Sequence, residues 1–280
     1  MKVEISNNCN HNCIFCGRNK INKTGGFIND DFFLRIMKEA FDEGVREVGL
    51  FINGEPFTDP KLAKRIETSK KIGYEYVYIT TNGSLAVPDR LQSVIDAGLD
   101  SIKFSINAAN REDYLKIHGK DDFDRVIDNL KDTRSYRDTK KLKYNIFGSF
   151  VVTNLTKSTI EYFKQHYVPL FDDFAFYNVR NNGIMDENEN IAPFGFTAQN
   201  RCTLPFNTIN IDYDGSLLAC CEDINHRIPV ANLSKMTLRE AWYCDNMKIL
   251  RQKHIEGKLS GTVCEKCLMG GGGVVEVLDV

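Results

Sequence analysis

Three cysteines, Cys9, Cys13 and Cys16, follow one another with the spacing C-x3-C-x2-C directly after a short β-rich run at residues 3–6. Thiolates are soft ligands and serve zinc or iron–sulfur clusters. Zinc asks for a fourth ligand close by, and His11 lies inside the triplet, where it would bind awkwardly. Three thiolates on a cubane cluster leave one iron without a protein ligand, which suits a cluster that must bind something else. Far downstream, Cys202, Cys220, Cys264 and Cys267 form a second set, C-x17-C-x43-C-x2-C. Four ligands close a cluster completely, so it passes electrons but does not readily bind substrate; a structural zinc on the same thiols is the alternative. Cys221 and Cys244 are left over. Of the nine cysteines, three lie within residues 9–16 and six within 202–267, so the chain divides into a cysteine-rich start, a cysteine-free body and a cysteine-rich tail. Disulfides are rare in reducing compartments, and such clustering favours metal or redox chemistry.

The body must hold these ligands in place. Strands are expected at residues 3–6, 47–52, 76–80, 101–106, 143–152 and 174–179. Helices are expected at 30–41, 61–71, 88–97, 123–136 and 158–167. The first of these helices shows apolar spacing (Phe33, Ile36, Met37, Ala40, Phe41) after Asn29 or Asp30 as N-cap, and Pro88 sits in a first turn. Six strands joined by helices imply right-handed crossovers and a parallel sheet that binds ligands at its carboxyl ends. A closed eight-stranded barrel needs two more βα units than the body supplies, so the expected α/β fold is a partial, six-stranded barrel. Beyond Asn181, runs at 208–213 and 216–219 flank Asp214-Gly215, a hairpin signal. Thr237-Leu238-Arg239-Glu240 matches a capping box opening a helix to about residue 255. Gly270 to Gly273 and a short apolar run form a loose or docked tail. The division expected is a barrel at 1–185 and a small cluster domain at 186–280.

Composition is that of an ordinary globular protein, with 42% apolar and 26% charged residues. A net charge of −2 gives no footprint for nucleic acid or an anionic membrane. No run of 18 apolar residues appears and the first residues do not begin a signal peptide, so a cytoplasmic location is expected.

Three polar strand ends follow the cysteines: Asn53-Gly54-Glu55-Pro56 after the second strand, Thr80-Thr81-Asn82-Gly83 after the third, and Ser105-Ile106-Asn107 after the fourth. Each alone reads as a strand-ending turn. Together with the cysteine triplet they resemble the radical S-adenosylmethionine (SAM) superfamily, whose three-cysteine loop follows the first strand of a partial (β/α)6 barrel. The resemblance implies a [4Fe-4S] cluster on Cys9, Cys13 and Cys16, with its open iron chelating the amino and carboxylate groups of SAM. One-electron cleavage there releases methionine and a 5′-deoxyadenosyl radical that abstracts hydrogen. Phe15 matches the family's aromatic expected near the adenine. Asn53, Gly54, Glu55 and Pro56 stand where the family's Gly-Gly-Glu-Pro motif meets the SAM ammonium, with Asn in first place. Thr80, Asn82, Ser105 and Asn107 stand where hydroxyls and amides meet the SAM carboxylate and ribose.

The tail resembles the SPASM/twitch extension in its Asp-Gly hairpin before Cys220, its Thr237-to-Trp242 helix start and its final C-x2-C. With no cysteine after Cys267, the shorter twitch form with one auxiliary [4Fe-4S] cluster on Cys202, Cys220, Cys264 and Cys267 is expected. The resemblance further implies an external one-electron reductant such as flavodoxin or ferredoxin. In size and cysteine plan the chain looks most like the family's twitch dehydrogenases, which oxidise an aminocyclitol alcohol. Oxidation of a sugar or aminocyclitol alcohol is therefore expected, with the auxiliary cluster as electron acceptor. Radical epimerisation is the competitor, Cys221 or Cys244 being the thiol that could quench a substrate radical. Many peptide-modifying relatives carry a leader-binding domain before the barrel, and only eight residues precede Cys9 here, which disfavours a ribosomal peptide. Arg180, Cys221, Asp223 and its neighbour Glu222 are the candidates to act on substrate. A zinc-stabilised binding module and a pure electron carrier are the readings of other classes. Neither needs polar strand ends.

Overall fold

The computed structural model describes residues 1–280 apart from 21–24, 197, 200, 229 and 280. Six parallel strands form its centre: β1 (Lys2–Val3), β2 (Glu47–Gly49), β3 (Tyr76–Thr81), β4 (Ser101–Ser105), β5 (Asn145–Val152) and β6 (Asp173–Asn178), paired in chain order. Between them run α1 (Asp30–Asp42), α2 (Leu62–Ile72), α3 (Pro88–Asp96), α4 (Arg111–His118) and α5 (Phe123–Lys140), with α6 (Ile160–His166) between β5 and β6. The sheet remains open between β1 and β6, as the strand count implies.

Period-two alternation decides which side chains meet the helices and which meet the lumen. Val77 and Ile79 are buried against the helices, whereas Tyr76, Tyr78 and Thr80 of the same strand are half-buried and face inward. Under β5 and β6 the core is aromatic, with Phe150, Phe163, Phe171, Phe174 and Phe176 packed together. Gly148 makes that packing possible, because a Cβ there would stand 2.2 Å from the Phe174 ring. Helix starts are capped as their sequences suggest: Asn29 Oδ1 accepts from Phe32 N, and Thr237 and Glu240 form a complete capping box.

The tail adds α7 (Leu204–Asn207), β7 (Asn210–Ile211), β8 (Ser216–Leu218), β9 (Ala231–Asn232), α8 (Leu238–Trp242), α9 (Asp245–Glu256), α10 (Val263–Met269) and β10 (Val274–Asp279). The sheet does not break at the division expected near residue 185. β7 pairs parallel with β1, so the Asp214-Gly215 hairpin extends the barrel sheet. The run expected to be a loose or docked tail is β10, antiparallel to β6 and covering the other open edge. The helix expected from 237 to 255 is two helices, because Cys244 turns extended and caps α9. Helices α4, α7 and α10 and strand β9 were not anticipated. The tail also docks on α1: Leu238 N donates to Glu39 Oε2 at 2.8 Å, and Arg35 reaches the Leu233 carbonyl.

One buried ion pair sets the turn after β2. Arg65, 4% exposed, donates from Nε to Asp59 Oδ2 at 2.7 Å and from Nη2 to the Ile28 carbonyl. Asp59 is 1% exposed, so Arg65→Met strands an unpaired carboxylate in the core. That substitution is expected to lower unfolding free energy by about 3–5 kcal/mol, read from urea titration. A loss under about 1 kcal/mol would show that the pair is a bystander.

Candidate active site and cluster-binding cysteines

The Cys9–Cys16 loop is strapped to the C-terminus of α4. Asn12 N donates to His118 O at 2.9 Å and Ile14 N to Ile117 O at 3.0 Å. Gly119 ends α4 in a left-handed conformation, φ +67, where an added Cβ would stand 3.3 Å from Asn12 Cβ and 3.4 Å from its carbonyl oxygen. The three thiols lie near enough for their charges to act on one another: burial pushes Cys9 up to about 11, and burial raises Cys13 well above its ordinary value, the neighbouring thiols adding to it. Cys16 is raised by burial as well. His11, inside the triplet, is turned away. Its Nε2 lies 3.1 Å from Asp122 Oδ2, and its ring packs edge-on against His118 and Tyr114. His118 takes its place: Nδ1 is 3.3 Å from Cys13 Sγ, while Nε2 donates to the Ile106 carbonyl at 2.7 Å. Nothing in the local sequence flagged His118, because its approach depends on α4.

The Gly-Glu-Pro turn meets the same loop backbone to backbone. A Cβ on Gly54 would stand 2.0 Å from the Ser6 carbonyl, so only glycine fits. Asn53 N and Gly54 N both donate to Glu4 Oε1, at 2.8 and 3.0 Å. Glu55, 2% exposed, accepts from Thr81 Oγ1, Asn82 N and Phe57 N, and its own N–H donates to the Asn8 carbonyl at 2.7 Å. Burial lifts this carboxyl to about 7 despite the three donors. The carboxylate thus ties the second strand end to the third, and the backbone carbonyls of the turn are what it leaves for a ligand. Pro56 opens a short 3-10 turn beneath it.

The other strand-end polar groups divide between turn chemistry and the lumen. Asn82 Oδ1 accepts from Ser84 N and Ser84 Oγ, and its Nδ2 donates to Asn10 Oδ1 at 2.9 Å. Asn107, with φ +58, is 1% exposed and accepts from Val151 N at 2.7 Å, bridging to β5. Both side chains are therefore largely spent inside the protein. Thr80 and Ser105 face the lumen, Ser105 sharing a 2.9 Å hydrogen bond with Ser149 across the strands. Phe15 is half-buried, and its carbonyl accepts from Asn188 Nδ2 at 3.2 Å. Asn188 Nδ2 also donates to the Arg180 carbonyl at 2.7 Å, joining the triplet loop to the chain beyond β6. Neither Ser149 nor Asn188 belonged to a recognisable motif.

The tail cysteines converge. Cys202, Cys220, Cys264 and Cys267 line one cavity of about 260 Å³, with Arg180 and Glu222 at its wall. Burial pushes Cys264 up to about 11 and Cys267 up to about 12, and raises Cys220 as well. Between this cavity and the barrel runs the segment 220–223. Cys221 turns inward, near enough to Tyr78 of β3 and Lys2 of β1 for its charge to bear on Tyr78 and that of Lys2 on it. Glu222 receives Cys221 Sγ at 3.9 Å and stands 3.8 Å from Arg180 Nη1. Its charge also raises Cys16 on one side and Cys267 on the other. Asp223 is committed to its own loop, accepting from Arg227 N and Ile228 N, and is 2% exposed. Cys244 caps α9 with its thiol on the Val230 carbonyl, away from both groups.

Both thiol sets fit clusters better than single metal ions. Among the described residues, Asp212, Asp214 and His226 are the trio of ligand atoms lying within 4.8 Å of one another; no three thiols come so close. A zinc ion with bonds of about 2.3 Å draws its thiolates tighter than that. Irons at separate corners of a cubane accept wider spacing.

His118 yields a pH prediction for the cluster-free chain. Burial holds its imidazole down to about 3. An unfolded histidine takes its proton near 6.5, so this group's contribution is complete above that pH and drains away as pH falls towards 3. Unfolding free energy should fall by roughly 3–5 kcal/mol across that window, and His118→Gln should flatten the slope. An unchanged slope in the variant would assign the acid sensitivity elsewhere.

The radical SAM superfamily profile matches residues 3–163, and an iron-sulfur cluster-binding domain profile matches residues 202–268. A probable GTP 3′,8-cyclase of Saccharolobus solfataricus is 34% identical over 131 residues, 47% of this chain and 42% of that protein. An uncharacterised protein of Methanocaldococcus jannaschii is 32% identical over 164 residues, 57% and 53% of the two chains. The chain thus spans about half the length of these curated relatives. The BtrN structure with AdoMet and 2-DOIA superposes at a TM-score of 0.66, 19% identity, covering 98% of this chain and 92% of that one. Streptococcus suis SuiB bound to the precursor peptide SuiA gives 0.74, at 14% identity and 96% and 70% coverage. With the barrel profile covering more than half of its length, the chain belongs to the radical SAM superfamily, in the SPASM/twitch subgroup, as a SAM-binding enzyme with one [4Fe-4S] cluster in the barrel and an auxiliary cluster in the tail.

Proposed function

We propose that this enzyme oxidises an alcohol of a small molecule of the sugar or aminocyclitol kind, the auxiliary cluster taking up the electron. The observation that carries this reading is the segment 220–223. It forms a thin wall with the barrel lumen on the Cys221 side and the four-cysteine cavity on the other. A substrate against that wall would lie between the two redox centres.

Cys9, Cys13 and Cys16 would hold the barrel cluster, and Cys202, Cys220, Cys264 and Cys267 the auxiliary one. The chemistry supplied by the bound barrel cluster and SAM is one-electron cleavage that yields a hydrogen-abstracting 5′-deoxyadenosyl radical. The turn carbonyls at Asn53 and Gly54 are suited to a ligand ammonium, since Glu4 already satisfies their N–H groups. Phe15 would meet the adenine, and Thr80 and Ser105 would meet SAM from the lumen side. Asn82 and Asn107 would act on SAM by shaping the loops they brace. For the proton that leaves the substrate hydroxyl, Glu222 is the better acceptor. Asp223 has both carboxylate oxygens occupied by backbone donors, whereas Glu222 faces Arg180 and the cavity. Flavodoxin or ferredoxin is the kind of reductant required.

Epimerisation is the second reading, and the inward position of Cys221 favours it. Burial raises this thiol, so it keeps its hydrogen at neutral pH and could return it to a substrate radical.

The first test is a dithionite-driven assay for 5′-deoxyadenosine after anaerobic reconstitution. Cys13→Ala should abolish SAM cleavage and retain about four irons. Cys264→Ala should keep cleavage but lose the oxidised product. Cleavage surviving in Cys13→Ala would overturn the ligand assignment. Cys221→Ala separates the two reactions: an oxidase keeps its product and one 5′-deoxyadenosine per turnover, whereas an epimerase loses both product and solvent deuterium in it.

A further inference from the structure

One cleft in the lumen is lined by a carboxylate and an ammonium that do not pair with each other. Lys103, Phe147 and Asp173 are register partners on β4, β5 and β6, so their side chains stand in one row. All three are half-buried, whereas Phe104 and Phe174 beside them are sealed in the core under the helices, which puts the row on the lumen face. The three line a cleft of about 270 Å³ together with Ala175 and Tyr177. From Asp173 to Tyr177 the cleft follows β6 for about 13 Å towards its carboxyl end. Just beyond that end stands Arg180, 3.8 Å from Glu222 of the 220–223 segment.

Neither charge is met from within the protein. Asp173 Oδ1 is buried and finds no hydrogen-bond donor. Lys103 forms no ion pair among the described residues. Burial, and after it the Lys2 charge, holds its ammonium below the ordinary lysine value. Two strand spacings set the α-carbons of Lys103 and Asp173 about 10 Å apart, with Phe147 between them. Both groups have lost hydration without gaining each other, a cost that a ligand with the opposite charges reverses. Neutral hydroxyls offset neither charge, and a singly charged ligand leaves one of the two stranded.

We infer that this cleft binds a substrate carrying both an ammonium and a carboxylate on its polyol skeleton, an amino sugar acid. The substrate ammonium meets Asp173, its carboxylate meets Lys103, and Phe147 lines the path of the carbons between them. The single charge of a carboxylate matches one lysine, whereas a phosphate dianion exceeds it. The inference rests on the reading of the enzyme as an oxidase of small alcohols and narrows its substrate.

The test is calorimetric titration of glucosaminate into the anaerobically reconstituted enzyme, with SAM present and no reductant. Gluconate and glucosaminitol share its open carbon chain and carry only the carboxylate or only the ammonium. Saturable glucosaminate binding is expected, at least about tenfold tighter than that of either comparison. Asp173→Asn should remove the advantage over gluconate, and Lys103→Met the advantage over glucosaminitol. Both replacements keep the size of the side chain, so these variants should fold. Absent glucosaminate binding, a comparison compound binding as tightly, or unchanged affinity in either variant would each overturn the inference. A direct Lys103–Asp173 ion pair in solution would close the cleft and show itself as the first of these. The same preparations are then assayed with dithionite for 5′-deoxyadenosine and oxidised product. Oxidation of a neutral polyol without glucosaminate binding sinks this inference alone. Glucosaminate binding with 5′-deoxyadenosine but no oxidised product sinks the oxidation reading alone.

Discussion

The carboxyl end of the sheet is organised around one buried acid. Glu4, wholly inaccessible, receives the N–H groups of Asn53 and Gly54 on one oxygen and Asn7 Nδ2 on the other. Burial and a hydrogen bond to Asp212 raise its carboxyl well above the usual range. Asp212 comes from the tail hairpin and is itself 2.5 Å from His226 Nε2. A single side chain therefore joins the first strand, the turn expected to meet SAM and the domain that carries the second cysteine set. Its cost of burial is tolerable because every oxygen finds a donor.

What could be read in the sequence were features whose meaning is local. Cysteine spacing survives without knowledge of the fold, because a loop of eight residues can gather its thiols by itself. The Gly-Glu-Pro turn and the polar strand ends were legible because strands end where polar residues interrupt apolar alternation. Their individual tasks were not legible. Glu55 and Asn82 look like ligand contacts in a line of letters, yet buried partners in the neighbouring turn take their lone pairs. Which acceptor an amide meets depends on register between strands far apart in the chain. The same holds for His118, whose short polar helix carries little periodicity.

The helix break at Cys244 and the strand at Val274–Asp279 show the same limit in reverse. Helical spacing continues across Tyr243 and Cys244, so nothing in the pattern announces a second N-cap. A short apolar run becomes a strand only where an edge is open to receive it, and the partial barrel leaves β6 free. Long-range structure supplied the missing half of each signal.

The way the tail grips the sheet has a consequence for assembly. Lys2 pairs with Asn210 at one margin, and Val274 to Asp279 pair with β6 at the other. The half-barrel cannot close its hydrogen bonds until both distant segments arrive, and such non-local pairing is slow. Until then two bare strand margins are open to neighbouring chains. Docking of the tail, which also brings its thiols together, is thus the step that protects the nascent sheet from aggregation.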